Sequence, residues 1–204
     1  MARQSAPFAI AGVLAALQMR LPVIMLEQLT TTEAVGLFAA ANRLIEGLRL
    51  FPNALFGAIF PSLSALAGDV TGMRRVFRRG AAGLIAFGGV VGMGLTLFGA
   101  PILMLIYGAP FADGSTALTL LGWALAAGAL RGLATLRWYA AGREASANRI
   151  NAVLLIVQIV VGVPLIVLWG VNGAALTILL TESAALVRLG GDVEGLGVTQ
   201  LREE

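Results

Sequence analysis

Among the polar residues inside the apolar stretch VGLFAAANRLIEGLRLFPNALFGAIFPSLSAL, residues 35–66, four recur at regular intervals: Asn42, Glu46, Arg49 and Asn53. Their spacing is four, three, four. At 100° per residue this confines them to an arc of about 60° on a helix. Arg43 lies beside that arc, and Leu44, Leu48, Phe51 and Leu55 take other faces. Guanidinium groups hold phosphates and carboxylates through paired, charge-assisted hydrogen bonds, and carboxamides hydrogen-bond hydroxyl-rich molecules. Arginine outnumbers glutamate in the stripe, which favours an anionic ligand over a cationic one. Glu46 and Arg49, three residues apart, are placed to pair. Pro52 follows directly and removes an intrahelical hydrogen bond, so a kink is expected there, in the position of a hinge.

Other polar groups sit inside apolar runs. Arg20, with Gln18 and Pro22 close by, calls for a cavity or an acidic partner, and Glu46 or Glu27 are the candidates. Arg131 lies in the middle of LAAGALRGLATLRWYA, and Glu182 in LLTESAALVR. Glu182 has Arg131 or Arg188 as its candidate partner. Gln158 is suited to bonding another helix. Arg20, Arg43 and Arg49 have a second option, which is to extend towards a membrane interface, and Arg137, closer to the cytoplasmic end, is expected to do so. Trp123, Trp138 and Trp169 suit interfacial anchoring.

The chain contains no cysteine and no histidine. That removes disulfides, thiol nucleophiles, Cys/His metal sites and the commonest general base. No carboxylates are paired at a useful spacing. No catalytic residue, cofactor or metal is expected, and an intramembrane enzyme is disfavoured. The 14 basic residues are all arginine. They do not form one long patch with interleaved aromatics, which argues against a nucleic-acid partner.

These side chains must be held by elements that suit a bilayer. Of the 204 residues, 58% are hydrophobic and 12% charged, against roughly a quarter charged in soluble domains. An integral membrane protein is therefore expected. Six apolar runs are candidate transmembrane helices: 7–26, 34–66, 80–107, 116–139, 150–169 and 173–187. The second is about 48 Å long at 1.5 Å per residue. The first also resembles a signal peptide, but no polar mature chain follows a cleavage site. A polar tail is expected over 189–204. GDVTGMRRVFRRG reads as a loop carrying Arg74, Arg75, Arg78 and Arg79. The fourth-to-fifth loop carries Arg143 and Arg149, and Arg3 flanks the first run. The loops TTTEA, GAPFADGS and GVNG hold no arginine. By the positive-inside rule both termini and the arginine-bearing loops are cytoplasmic. Gly88 with Gly92, and Gly128 with Gly132, provide small-residue spacing for close helix approach. The expected fold class is all-α: a polytopic bundle of six transmembrane helices over residues 1–188.

The ordered combination of three segments resembles a known family. VGLFAAANRLIEGLRLFPNALFGAIFPSLSAL is similar to the segment of bacterial polysaccharide-unit flippases with Val-Gly-aromatic, a polar helix centre, Pro and a Phe-Pro-small-Leu-Ser ending. PILMLIYGAPFADGSTALTLLGWAL is similar to their Leu-Tyr-Gly element, and WGVNGAALTILLTES to their Gly-x-x-Gly-Ala-Ala…Thr-Glu ending. The resemblance covers about residues 5–190 and lies within the multidrug/oligosaccharidyl-lipid/polysaccharide exporter superfamily. It implies one six-helix lobe, most like the C-terminal one, of a two-lobed transporter in a bacterial cytoplasmic membrane. It also implies translocation of lipid-linked oligosaccharide for envelope glycans such as lipopolysaccharide, and a second six-helix lobe as partner. Arg20, Asn42, Arg43, Glu46, Arg49 and Asn53 would then face the substrate, with Arg131 and Glu182 secondary. Relatives often carry Arg-x-Asp in the first helix of a lobe. Here Arg20-Leu21-Pro22 keeps only the arginine, which counts against an ion-coupling pair at that point. Alternatives are a drug or small-solute exporter of the same superfamily, and a non-transporting subunit or inactive fragment.

Overall fold

The computed structural model describes residues 2–65, 70–140 and 143–191. Every regular element among them is helical: α1 (Ala2–Leu29), α2 (Thr32–Leu48), α3 (Leu50–Ala65), α4 (Val70–Tyr107), a 3-10 turn (Ala109–Gly114), α5 (Ser115–Ala140) and α6 (Glu144–Gly191). Four stretches, Gly12–Leu29, Thr71–Tyr107, Ala109–Tyr139 and Ala145–Leu189, are long and apolar enough to cross a membrane. The chain is thus all-α and compatible with a multi-pass membrane protein.

Threonines make the first corner. The Thr30 hydroxyl donates to the Leu26 carbonyl at 2.6 Å, closing α1. Thr31 caps α2, its hydroxyl accepting from the Ala34 N–H at 3.3 Å, with Glu33 in the first turn where the helix dipole favours a carboxylate.

The second apolar run is divided at Arg49 into α2 and α3, each about 25 Å long. Pro52 is the cause. It has no N–H for the Leu48 carbonyl, and its ring crowds that oxygen. Helical bonds survive on either side, from Arg49 N–H to Ile45 (3.0 Å) and from Asn53 N–H to Arg49 (3.1 Å).

The segment 70–79, read as a loop from its arginines, is instead the start of α4. Met73, Val76 and Phe77 recur at helical spacing and pack beside Leu84, against Ile59 of α3 and Leu133 of α5. Arg74, Arg75, Arg78 and Arg79 stay exposed on the other side. Charge density hid an amphipathic helix. At its far end α4 stops at Gly108, whose φ of 99° suits glycine.

The fifth and sixth apolar runs occupy α6, a single helical stretch broken at Gly170, where φ is 51°. The arms on either side fold back on each other. A Cβ on Gly162 would lie 3.1 Å from Thr177 Cγ2, and Gly173 rests on the Leu165 carbonyl. The expected polar tail begins later than residue 189. Leu189 is buried with Trp138 and Ala147, and residues 192–204 lie outside the described residues.

Small residues set the spacing of α4 and α5. A Cβ on Gly88 would lie 2.5 Å from Ala126 Cβ, and Trp123 covers Gly92. The main core joins Leu26, Phe38, Ile45, Leu103, Leu118 and Ile166, from five of the helices. The start of α4, the end of α5 and both ends of α6 meet at one end of the bundle, through the Phe77–Arg137 contact and the Trp138–Ala147–Leu189 cluster.

Candidate functional site

A cavity of ≈ 840 Å³ opens among α1, α2, α3, α5 and the two arms of α6. The volume falls in the range of small-molecule sites. Its walls carry most of the polar residues singled out above. Asn42 and Glu46 come from α2, Arg49 from the break, and Pro52 and Asn53 from the first turn of α3. The helical spacing of four, three, four keeps them on one wall, and the break at Arg49 does not turn them away. Arg20 and Gln18 line the α1 side, Arg131 the α5 side, and Gln158, Thr181 and Glu182 the two arms of α6. Arg20, Arg131 and Glu182 also fall within stretches long and apolar enough to span a bilayer.

Arg43 does not line the cavity. One residue past Asn42, it is rotated by 100°, and its side chain is 80% exposed. It lies 3.6 Å from Glu46, Nη1 to Oε2, so it pairs with the stripe from outside. Glu46 also accepts from Asn42 Nδ2 at 3.0 Å. The ion pair expected between Glu46 and Arg49 is not formed. Asn42 and Arg43, one turn earlier on the same unbroken helix, take the carboxylate, and Arg49 sits beyond, at the break. Nor is Arg20 paired with Glu46 or Glu27. Among the described residues neither Arg20 nor Arg49 has an ion pair or side-chain hydrogen bond.

Arg131 is bound most tightly. Its Nε donates to Glu182 Oε2 at 2.6 Å and its Nη2 to Oε1 at 3.2 Å, a bidentate pair. Its Nη1 donates to Asn151 Oδ1 at 3.2 Å. The Asn151 carbonyl accepts from Gln18 Nε2 at 3.0 Å, and the Gln18 carbonyl accepts from Gln158 Nε2 at 3.3 Å. One network therefore ties α1, α5 and both arms of α6. Glu182 pairs with Arg131 and not with Arg188. Gly128 makes the room, since a Cβ there would lie 3.1 Å from Glu182 Oε2. The second glycine of that pair, Gly132, receives the Phe56 ring of α3.

Asn151 was not singled out in the sequence. It is seven residues before Gln158 and therefore on the same helical face, the one clue available. Trp123 is not at a helix end. It lies along α5, with its ring nitrogen 3.3 Å from the Thr96 hydroxyl.

Three arginines face two carboxylates around this cavity, and both carboxylates are engaged by other side chains. The free groups are two guanidiniums, Arg20 and Arg49, with the Asn53 carboxamide beside Arg49. That set suits an anion carrying hydroxyls. Among the described residues no three carboxylate, histidine or cysteine groups converge as metal ligands. No protein-family model and no curated protein matches this sequence.

Proposed function

We propose that this chain is one six-helix lobe of a transporter that flips lipid-linked oligosaccharide or polysaccharide repeat units across a bacterial cytoplasmic membrane. In this reading α2 and α3 form one broken span, and the arms of α6 form two. The observation that carries the reading is the pair Arg20, exposed on α1, and Arg49, half-buried at the break, which line one cavity and have no acidic partner among the described residues. An arginine at bilayer depth costs about 3 kcal/mol or more when nothing solvates or pairs it. A visiting anionic head group, such as the diphosphate of a lipid-linked sugar, would offset that cost. Asn42 and Asn53 would meet the sugar, while the lipid tail stays among acyl chains. The arginine-bearing end faces the cytoplasm, with both termini. A second lobe closes the far side of the cavity, as in transporters built from paired repeats. A cationic drug is the poorer fit, because three arginines face two carboxylates.

The test is a flipping assay in proteoliposomes, with the full chain and any co-purifying lobe. The probe is a fluorescent lipid-diphosphate oligosaccharide quenched from outside. Flipping by the wild type that is lost in Arg20→Gln and Arg49→Gln supports the reading. Equal flipping by both variants, at equal protein level, removes these residues from substrate binding and with them the argument.

A further inference from the structure

The arginines at one end of the bundle do not line the cavity. Arg74, Arg75, Arg78 and Arg79 are exposed along the first turns of α4. On a helix they span an arc of about 140°, opposite Met73, Val76 and Phe77, which face the core. A fifth cation joins from α5: the Arg137 guanidinium lies 5.7 Å from the centre of the Phe77 ring, close enough to Arg74 for their charges to repel. Arg143, just beyond α5, stacks on Trp138 at 4.4 Å. Among the described residues none of these six arginines is ion-paired with a carboxylate.

Apolar packing thus gathers like charges that repel one another. The patch lies at one end of α4, which is long and apolar enough to cross a membrane; with the rest of that helix in a bilayer, the patch would lie at the depth of lipid head groups. We propose that it is a binding surface for anionic phospholipid head groups, with Arg74, Arg78 and Arg137 contributing most. The aromatic bodies of Phe77 and Trp138 hold guanidiniums at the boundary, where phosphate oxygens are the available acceptors. Each basic residue near an anionic bilayer strengthens attraction about fivefold. The inference depends on the chain lying in a membrane and not on what the cavity carries.

The full chain, purified in detergent and offered equal phosphatidylglycerol and phosphatidylcholine, is read by native mass spectrometry. The wild type retains phosphatidylglycerol in preference. Arg74→Gln/Arg78→Gln lowers that preference about fivefold per arginine removed, while Arg74→Lys/Arg78→Lys keeps most of it. Arg43→Gln, exposed elsewhere, leaves it unchanged. Equal retention of the two lipids by the wild type overturns the proposal, as does an equal loss in Arg43→Gln. The sequence after Gly191 is acidic, with Asp192, Glu194, Glu203 and Glu204. Truncation there leaves the preference unchanged. A gain of fivefold or more would mean that the tail, not lipid, occupies the patch, and would also overturn it.

Discussion

Arg131 and Glu182 are 51 residues apart and share two hydrogen bonds, of 2.6 and 3.2 Å, between α5 and the second arm of α6. Their side chains are 21% and 23% exposed, so the pair is mostly shielded yet borders the cavity. It is the strongest polar link in the network that fixes the cavity wall.

Removing either partner leaves the other without its mate. Arg131→Ala and Glu182→Ala should each lower stability by about 2 kcal/mol, the scale of a charged hydrogen bond left unmade. The double variant should cost less than the two singles together. Unfolding in mixed micelles measures all three. Simple additivity would mean that the two residues act independently.

Two neighbouring glycines should behave oppositely. Gly88→Ala pushes a methyl group to within 2.5 Å of Ala126 Cβ and 3.1 Å of its backbone. It should destabilise by about 1–3 kcal/mol, as overpacking does. Gly89 has open space around the same position. Gly89→Ala should stabilise by about 0.5–1 kcal/mol through helix propensity. Matching shifts from both would argue against the observed α4–α5 packing.

Much of this arrangement could be read from residue types and periodicity. The apolar runs announced long helices, and the spacing of Asn42, Glu46, Arg49 and Asn53 placed them on one wall of a cavity. Local rules act within one helix, so they are visible in sequence. What was hidden depended on partners far along the chain. Asn151 matters because Arg131 and Gln18 meet it, and no local pattern encodes that meeting. Arg43, beside the stripe in sequence, does not share the cavity wall, because one residue past Asn42 is 100° around the helix. The start of α4 was misread because four arginines in six residues resemble a loop, while the apolar side of the same turn is only three residues wide. The break at Gly170 is partly legible, since GVNG reads as a loop between two apolar runs. A positive φ at glycine turns the chain back between the two arms of α6.

Pro52 is buried at the cavity, three residues past Arg49. Pro52→Ala restores an N–H that can reach the Leu48 carbonyl. We predict that α2 and α3 then merge, with slower hydrogen exchange around Leu48–Asn53 and unchanged or higher stability, and, on the proposed function, reduced flipping. Exchange as fast as in the wild type would mean that something other than the proline maintains the break.

Arg43 and Arg49 offer the sharpest discrimination at the cavity. They are six residues apart, but only Arg49 lines it, while Arg43 is 80% exposed and meets Glu46 from outside. A guanidinium that binds a phosphate contributes about 1.5–3 kcal/mol, equivalent to roughly a 10- to 100-fold change in affinity. Arg49→Ala should therefore weaken binding of a lipid-diphosphate oligosaccharide by that factor. Arg43→Ala removes a long surface pair of 3.6 Å, worth about 0–1 kcal/mol, and should change binding less than about fivefold. Competition with the unlabelled head group separates loss of charge recognition from altered lipid contact, because only the first reduces the effect of added head group. If Arg43→Ala proved the more damaging, the substrate would have to approach the outer face of α2, and the cavity would not be its path.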